Sequence, residues 1–131
     1  MRDILIQTLL VERDGGDELE LCHGQAGKWK IEAASFNPHT TLAAHASNTQ
    51  TITLKKGAGG TSLGYLTSDS DDATYGAAFT KGTPRHFVLT GTGQDLEFTK
   101  DQSLEVAITE GGTAAALDGA LVVTWVKVTN A

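Results

Sequence analysis

"SLEVAITEGGTAAALDGALVVTWVKV", Ser103 to Val128, is the stretch whose reading decides the fold. In its first limb Leu104, Val106 and Ile108 alternate with Ser103, Glu105, Ala107 and Thr109, the period of two that marks a half-buried strand. In its last limb Ala120, Val122, Thr124, Val126 and Val128 interleave with Leu121, Val123, Trp125 and Lys127, a second and more apolar strand. The glycine pair between them poses the choice between an anion cradle and a turn. A phosphate loop needs backbone N–H groups converging on the anion, usually at a helix N-terminus, and commonly a Lys-Ser/Thr pair after the last glycine. Here Gly112 is followed by Thr113 and Ala114, and the next element is a strand. The glycines therefore serve a turn.

The same period spreads outward. Ile52 and Leu54 alternate with Thr51, Thr53 and Lys55, and Leu96 and Phe98 with Asp95, Glu97 and Thr99; comparable runs lie at 4–12, 18–23, 28–36, 63–67 and 85–90. Turn signals separate them: Asp14-Gly15-Gly16-Asp17, Gly24 to Gly27, Asn37-Pro38, Gly57 to Gly60, Lys81 to Pro84, Gly91-Thr92-Gly93 and Glu110 to Gly112. Short strands at such spacing describe an all-β, antiparallel β-sandwich. Glycine for turns and threonine for pleated, half-exposed surface fit that class. Leu104, Val106, Ile108, Val122 and Val126 are its expected core, and only 42–46 or 73–79 has room for a helical turn. No repeat or linker divides the chain, so residues 1–131 are read as a single domain. Ser68 to Ala78, polar and rich in small residues, is expected to be an exposed, mobile loop.

Composition narrows the partners. A net charge of −6, with basic residues scattered, disfavours a nucleic-acid backbone. No apolar run approaches bilayer length, and Met1 to Ile6 lacks the apolar region of a secretory signal; no membrane partner is expected, and synthesis in a reducing cytoplasm is. Cys22 stands alone, so no internal disulfide is available, and it reads as an inert small hydrophobe.

Candidate chemistry is thin. Asp69, Asp71 and Asp72 suggest a calcium loop, but the glycine required at the sixth position is Thr74 and the glutamate at the twelfth is Thr80, which leaves a solvated acidic turn. His23, His39, His45 and His86 lack paired metal-ligand spacing. No Gly-x-Ser-x-Gly elbow is present, and sixteen acidic residues pair in too many ways to nominate a glycosidase dyad. No catalytic residue, metal ligand or cofactor is assigned, and the chain is read as a binding protein rather than an enzyme. Trp29, Tyr65, Tyr75 and Trp125 offer a sugar-stacking platform, against which stands core packing: Trp125 belongs to the most apolar strand, and Trp29, between Lys28 and Lys30, is divided between core edge and contact surface.

The order of the pieces from Asn48 to Val128 resembles the small, jelly-roll-like β-sandwich virion proteins of tailed bacteriophages, capsid decoration (cementing) proteins in particular. The likeness rests on a Thr-rich strand at 49–55, a Gly-rich turn, "KGTPRHFVLTG" at 81–91, "DLEFTKDQSLEV" at 95–106, then "TEGG" and a final apolar strand. It implies a protein on the capsid exterior, a homotrimer at local threefold positions, bound to the major capsid protein and holding neighbouring subunits against internal DNA pressure. Residues 1–47 carry no such likeness, and both an attachment arm and a part of the sandwich stand as readings of that stretch. The interface candidates are Trp29 and the run Ala114, Ala115 and Ala116, where a larger side chain would collide with a neighbour. A carbohydrate-binding module and a neck, tail or head-fibre component are the alternatives.

Overall fold

The computed structural model describes residues 3–13, 17–57, 59–91 and 93–129. Its strands are β1 (Ile4–Arg13), β2 (Asp17–Leu21), β3 (Lys28–Pro38), β4 (Thr49–Lys56), β5 (Ser62–Thr67), β6 (Arg85–His86), β7 (Glu97–Phe98), β8 (Leu104–Gly111) and β9 (Leu117–Thr129). One sheet runs β1-β9-β3-β6, with β7 also on β3, and the other runs β2-β8-β4-β5; the ladders are antiparallel. With β7 set aside, the first strand lies beside the last, the second beside the second-last, the third beside the sixth, and the fourth and fifth form a hairpin. That is the wrapped order of a jelly roll. The fold class read from the sequence, an antiparallel all-β sandwich, is the fold observed. Residues 4–38, within the stretch for which an arm was one reading, supply three strands, divided between both sheets. The predicted Asp14-Gly15-Gly16 turn, and Ala58 and Thr92 in two others, lie outside the described residues.

The inner faces close over one core. Trp125, Phe36, Phe79, Phe98, Ile31, Ile52, Leu54, Leu63, Leu104, Ile108, Leu117 and Leu121 are fully buried. Its rings meet edge to face, Phe98 on Trp125 at 5.2 Å and Phe36 on Phe79 at 5.6 Å between centroids, the arrangement favoured by aromatic quadrupoles. His23 joins them. Its Nε2–H donates to the Phe98 carbonyl at 2.8 Å, Nδ1 accepts the Gln25 N–H at 3.0 Å, and its ring lies against Trp125 and Trp29. Both ring nitrogens are thus used in the neutral form, which is how a histidine 2% exposed is accommodated. In β3 a register shift between Ile31 and Ala33 leaves Glu32 and Ala33 both exposed and returns Ala34 and Phe36 to the core. This β-bulge keeps an 11-residue strand facing one core despite a break in its alternation.

Several expectations change. Val122 is half-buried on the outer face, opposite Thr8 and Ser35, while Leu121, Val123 and Trp125 point inward; Val126 is buried on that same outer face. A strand apolar on both faces gives its period no means of choosing sides. Leu104 to Ile108 is buried on both faces, because β8 sits between β2 and β4 and their outward side chains cover Glu105 and Ala107. The predicted strand at 85–90 is confined to Arg85 and His86, and that at 95–99 is a 3-10 turn, Gly93–Leu96, followed by two paired residues. Of the two places with room for a helical turn, 73–79 has one, closed by the Gly76 N–H on the Asp72 carbonyl at 2.9 Å, whereas 42–46 has none; single bridges join Leu42 to Phe79 and His45 to Asp69.

Candidate protein-binding surface

The Gly-Gly-Thr-Ala-Ala-Ala segment connects β8 to β9. Gly111 still belongs to β8, and Gly112 turns the chain at φ 67°. A Cβ there would meet Asn48 Oδ1 and approach the Ser47 carbonyl to 2.6 Å. Glycine is required twice over, by backbone conformation and by space. Two side chains from the start of β4 then pin the turn: Asn48 Oδ1 accepts the Thr113 N–H at 3.1 Å, and Gln50 Nε2 donates to the Ala115 carbonyl at 3.0 Å. The backbone is held inward, Ala115 and Ala116 are left exposed, and Ala114 is half-buried. Three of the four interface candidates therefore lie together on one tightly held loop.

Trp29 does not join them. It is 6% exposed, its Nε1–H donates to the Ala26 carbonyl at 3.0 Å, and Lys127 Nζ lies 5.9 Å from its ring centroid. Of its two sequence readings the core one holds, because β3 turns Trp29 to the same face as Ile31 and Phe36. Trp125 is fully buried as well. Tyr65 and Tyr75 are half-buried, with centroids 4.9 Å apart and planes at 71°. Two buried indoles and a T-shaped tyrosine pair provide no flat stacking platform for a sugar.

Beside the alanine loop, the acidic turn is fully engaged in its own backbone. Asp69 Oδ1 accepts the Asp71 N–H at 2.9 Å, and Asp72 Oδ1 accepts those of Thr74 and Tyr75 at 3.0 and 2.9 Å. Tyr65 Oη donates to Asp72 Oδ2 at 2.7 Å. The Tyr75 N–H first, then the Tyr65 hydroxyl, hold the Asp72 carboxyl below its ordinary pKa, and the same bond to Asp72 pushes the Tyr65 phenol up. Sequence reasoning missed Arg85. Its Nη1 donates to the carbonyls of Thr67 and Ala77 at 2.9 and 3.0 Å, Nη2 donates to that of Tyr75, and the guanidinium stacks 4.7 Å from the Phe79 centroid. Burial lowers its pKa from the ordinary arginine value. Far from lying loose, residues 68–79 are tied to β5 by the side chains of Tyr65, Thr67 and Arg85 and by the Ala77 N–H on the Thr67 carbonyl.

Two shallow depressions adjoin Lys56, of about 180 and 270 Å³, below the roughly 300–1,000 Å³ of ordinary ligand pockets. Lys56 itself spans from the Gln94 carbonyl, at 2.6 Å, to the face of Phe98. Among the described residues no group of three or more His, Cys, Asp or Glu is arranged to hold a metal ion. Cys22, read as an inert small hydrophobe, is exposed just beyond β2.

The largest departure from expectation is on β1. Its alternation sends Leu5, Leu9 and Val11 to the core and leaves Ile4, Ile6 and Leu10 outside, 62, 64 and 72% exposed. Opposite them on β9 lie Val126, Thr124 and Ala120, with Val122 opposite Thr8 and Val128 45% exposed at the end of the row. The two strands present a largely uncharged apolar face, bounded by Glu12 and Asp118 at one end. The signal was present in the sequence, since Ile4, Ile6 and Leu10 share one strand parity with Thr8 and Glu12. A run apolar at both parities conceals which side meets water.

No family model matches the chain, and no curated protein matches it. Among solved structures it is similar to a protein from the work titled "Bacillus endospore appendages form a novel family of disulfide-linked pili", at 11% identity and a TM-score of 0.43, covering 98% of this chain and 90% of that one. A likeness at that level carries no function across.

Proposed function

We propose that the protein is a structural virion component that binds the outside of a tailed-phage head and cements neighbouring capsid subunits. The observation that carries this reading is the exposed apolar row Ile4, Ile6 and Leu10 on a sheet face. Scattered exposed apolar residues are ordinary, but a row along one strand, continued by its neighbour, marks a surface that other protein covers. The resemblance of residues 48–128 to decoration proteins supplies the kind of partner, the major capsid protein. The jelly-roll strand order supports the same reading. In it the protein works by binding, many copies on one head, so that modest single contacts add through avidity.

The exposed alanine loop is the second contact. Ala115 is exposed while its carbonyl is bonded inward, so Ala115→Glu leaves the isolated fold intact. In a packed contact the new carboxylate loses water without gaining a partner. The test is co-sedimentation of the purified protein with undecorated heads built from the major capsid protein of the same phage. Saturable binding by the wild type, weakened about tenfold or more by Ala115→Glu, is the expected result. Absence of wild-type binding, joined with affinity on a glycan array, would replace this reading with the carbohydrate-binding alternative.

A further inference from the structure

We propose that β1 is a self-pairing edge: two copies of the chain join antiparallel along β1, around a two-fold axis at Thr8, into one continuous sheet. This inference does not depend on the capsid reading. It starts from the backbone. The Lys127 N–H donates to the Asp3 carbonyl at 3.0 Å, which makes Asp3 and Lys127 a hydrogen-bonded pair. In an antiparallel ladder such pairs alternate, so Leu5, Gln7, Leu9 and Val11 turn their N–H and C=O groups to β9. Those of Ile4, Ile6, Thr8 and Leu10 turn the other way, to the side where, among the described residues, no further strand is placed. β1 keeps its register with β9 over all ten residues from Ile4 to Arg13 without a bulge, and it contains neither proline nor lysine. Those are the devices by which natural edges resist pairing. From Ile4 to Leu10 this edge lacks them and is flanked by exposed isoleucine and leucine.

The other long edge strands, β2 and β5, are defended, and the remaining edge, β6, is only two residues long. β2 carries Glu18 and Glu20, both exposed. The outer side of β5 is covered by the Thr90 N–H on the Leu63 carbonyl and the Ala77 N–H on that of Thr67, at 2.9 and 3.1 Å. A cyclic trimer, the assembly the phage resemblance implies, would need β1 to pair with a different strand of the next copy, and neither of these offers an open, uncharged one. β1 itself does. With the axis at Thr8 the whole strand overlaps, Ile6 faces Leu10 of the second copy, and position 3 stands in register with position 13 at both ends. Among residues 3–13 the Thr8 axis pairs every position, with Ile4 opposite Glu12; moving the axis to Leu9 leaves positions 3 and 4 without a described partner, and moving it to Gln7 does the same to positions 12 and 13. An antiparallel two-fold normal to the sheet keeps both apolar outer faces on one side, so dimerisation doubles the row Ile4, Ile6 and Leu10 instead of hiding it.

Pairing one strand buries less than the roughly 800 Å² per partner of a standard interface, so dissociation belongs in the micromolar range or above. Sedimentation equilibrium from about 1 µM to 1 mM, under reductant so that the exposed Cys22 forms no cross-link, should show a monomer–dimer equilibrium. Amides of Ile4, Ile6, Thr8 and Leu10 should gain hydrogen-exchange protection with concentration. Thr8→Pro removes an N–H that points away from β9, a position proline tolerates on an edge, and Ile6→Lys restores a guard charge. Each should weaken the dimer about tenfold or more while keeping the wild-type spectrum and melting profile; if the proline variant misfolds, Ile6→Lys decides. A wild type monomeric throughout the range, a trimer, or a dimer indifferent to the folded variants overturns the proposal. Those outcomes leave head binding untouched, whereas failure of the wild type to bind heads leaves edge pairing standing.

Discussion

Replacing Arg85 with methionine isolates what one guanidinium contributes to the end of the sandwich. The substitution keeps an unbranched apolar stem over Phe79 and deletes the charge with its bonds to the carbonyls of Thr67, Ala77 and Tyr75. Hydrogen bonds to a charged group are worth about 1.5–3 kcal/mol each when removed from a protein. Three such bonds set an upper bound that the structure reduces. Thr67 O keeps a second donor, the Ala77 N–H at 3.1 Å; the Ala77 carbonyl lies at an exposed position, where water replaces the lost donor; and the depressed Arg85 pKa shows that burying the cation already costs something. The Tyr75 bond, part-buried, remains the principal loss, and the net effect is about 2–3 kcal/mol. For a domain of this size that lowers Tm by roughly 6–12 °C. Urea unfolding should show a lower midpoint with unchanged slope, and exchange should accelerate at the Gly76, Ala77 and Phe79 amides before the strand amides. Arg85→Lys should recover less than half, since one ammonium cannot reproduce a planar fork serving carbonyls on two segments. A methionine variant within about 0.5 kcal/mol of wild type, the scatter of ordinary surface substitutions, would refute this account of the loop.

Other substitutions test the core, the outer faces and the turn. Ile108→Ala should cost about 2–5 kcal/mol in denaturant unfolding, and Val122→Ala, half-buried on the outer face, clearly less; equal costs would contradict the facing assigned to β9. Glu105 is 1% exposed, opposite Glu20 on one side and Lys55 on the other, and its Oε2 has no hydrogen-bond partner among the described residues. Its hydrogen bond with Glu18, then burial and the neighbouring carboxylates, raise its pKa. A raised carboxyl binds its proton more tightly in the folded state, so its stabilising contribution is full below the ordinary carboxylate pKa and disappears as pH rises through the folded value. Glu105→Gln should therefore raise the midpoint at neutral pH and flatten that dependence, and an unchanged profile would count against the carboxyl pair. Asp72 carries the opposite sign, with stability present above the carboxylate range and lost as pH falls, and Asp72→Asn should reduce acid sensitivity. Gly112→Ala, forced into a left-handed φ against Ser47 and Asn48, should destabilise by about 1–3 kcal/mol, read as a lower midpoint.

Period two at Ile52 and Leu54, and at Leu104, Val106 and Ile108, was enough to read the architecture, because those strands face one core. Legibility failed where burial is two-sided or where tertiary bonds override a local pattern. Glu105 looked solvent-facing, since nothing in "SLEVAIT" reveals that β8 lies centrally under the side chains of two neighbours. Val122 and Val123 are interchangeable in the sequence and sit on opposite faces in the fold. The Asp69–Asp72 turn suggested mobility from its composition, whereas its carboxylates cap their own backbone and Arg85, supplied from β6, locks it. Trp29, flanked by lysines, carried a surface signal that the β3 pleat reverses. That Ala115 and Ala116 lie exposed on a connecting turn was legible from small size and turn context. The apolar row on β1 was written plainly in Ile4, Ile6 and Leu10 but needed the sheet order to show that, among the described residues, no strand covers that edge.

The claim at the centre of the account is that the protein acts by holding a phage head together, and its most direct measurement is the heat stability of DNA-filled heads. Heads stripped of the protein and heads re-decorated with it are warmed in parallel while released DNA is followed by dye fluorescence. Re-decoration should raise the release temperature saturably with added protein, and Ala115→Glu should shift the curve only at much higher concentration. Heads that bind the wild-type protein to saturation and yet release DNA at the same temperature, or that bind none, would contradict it.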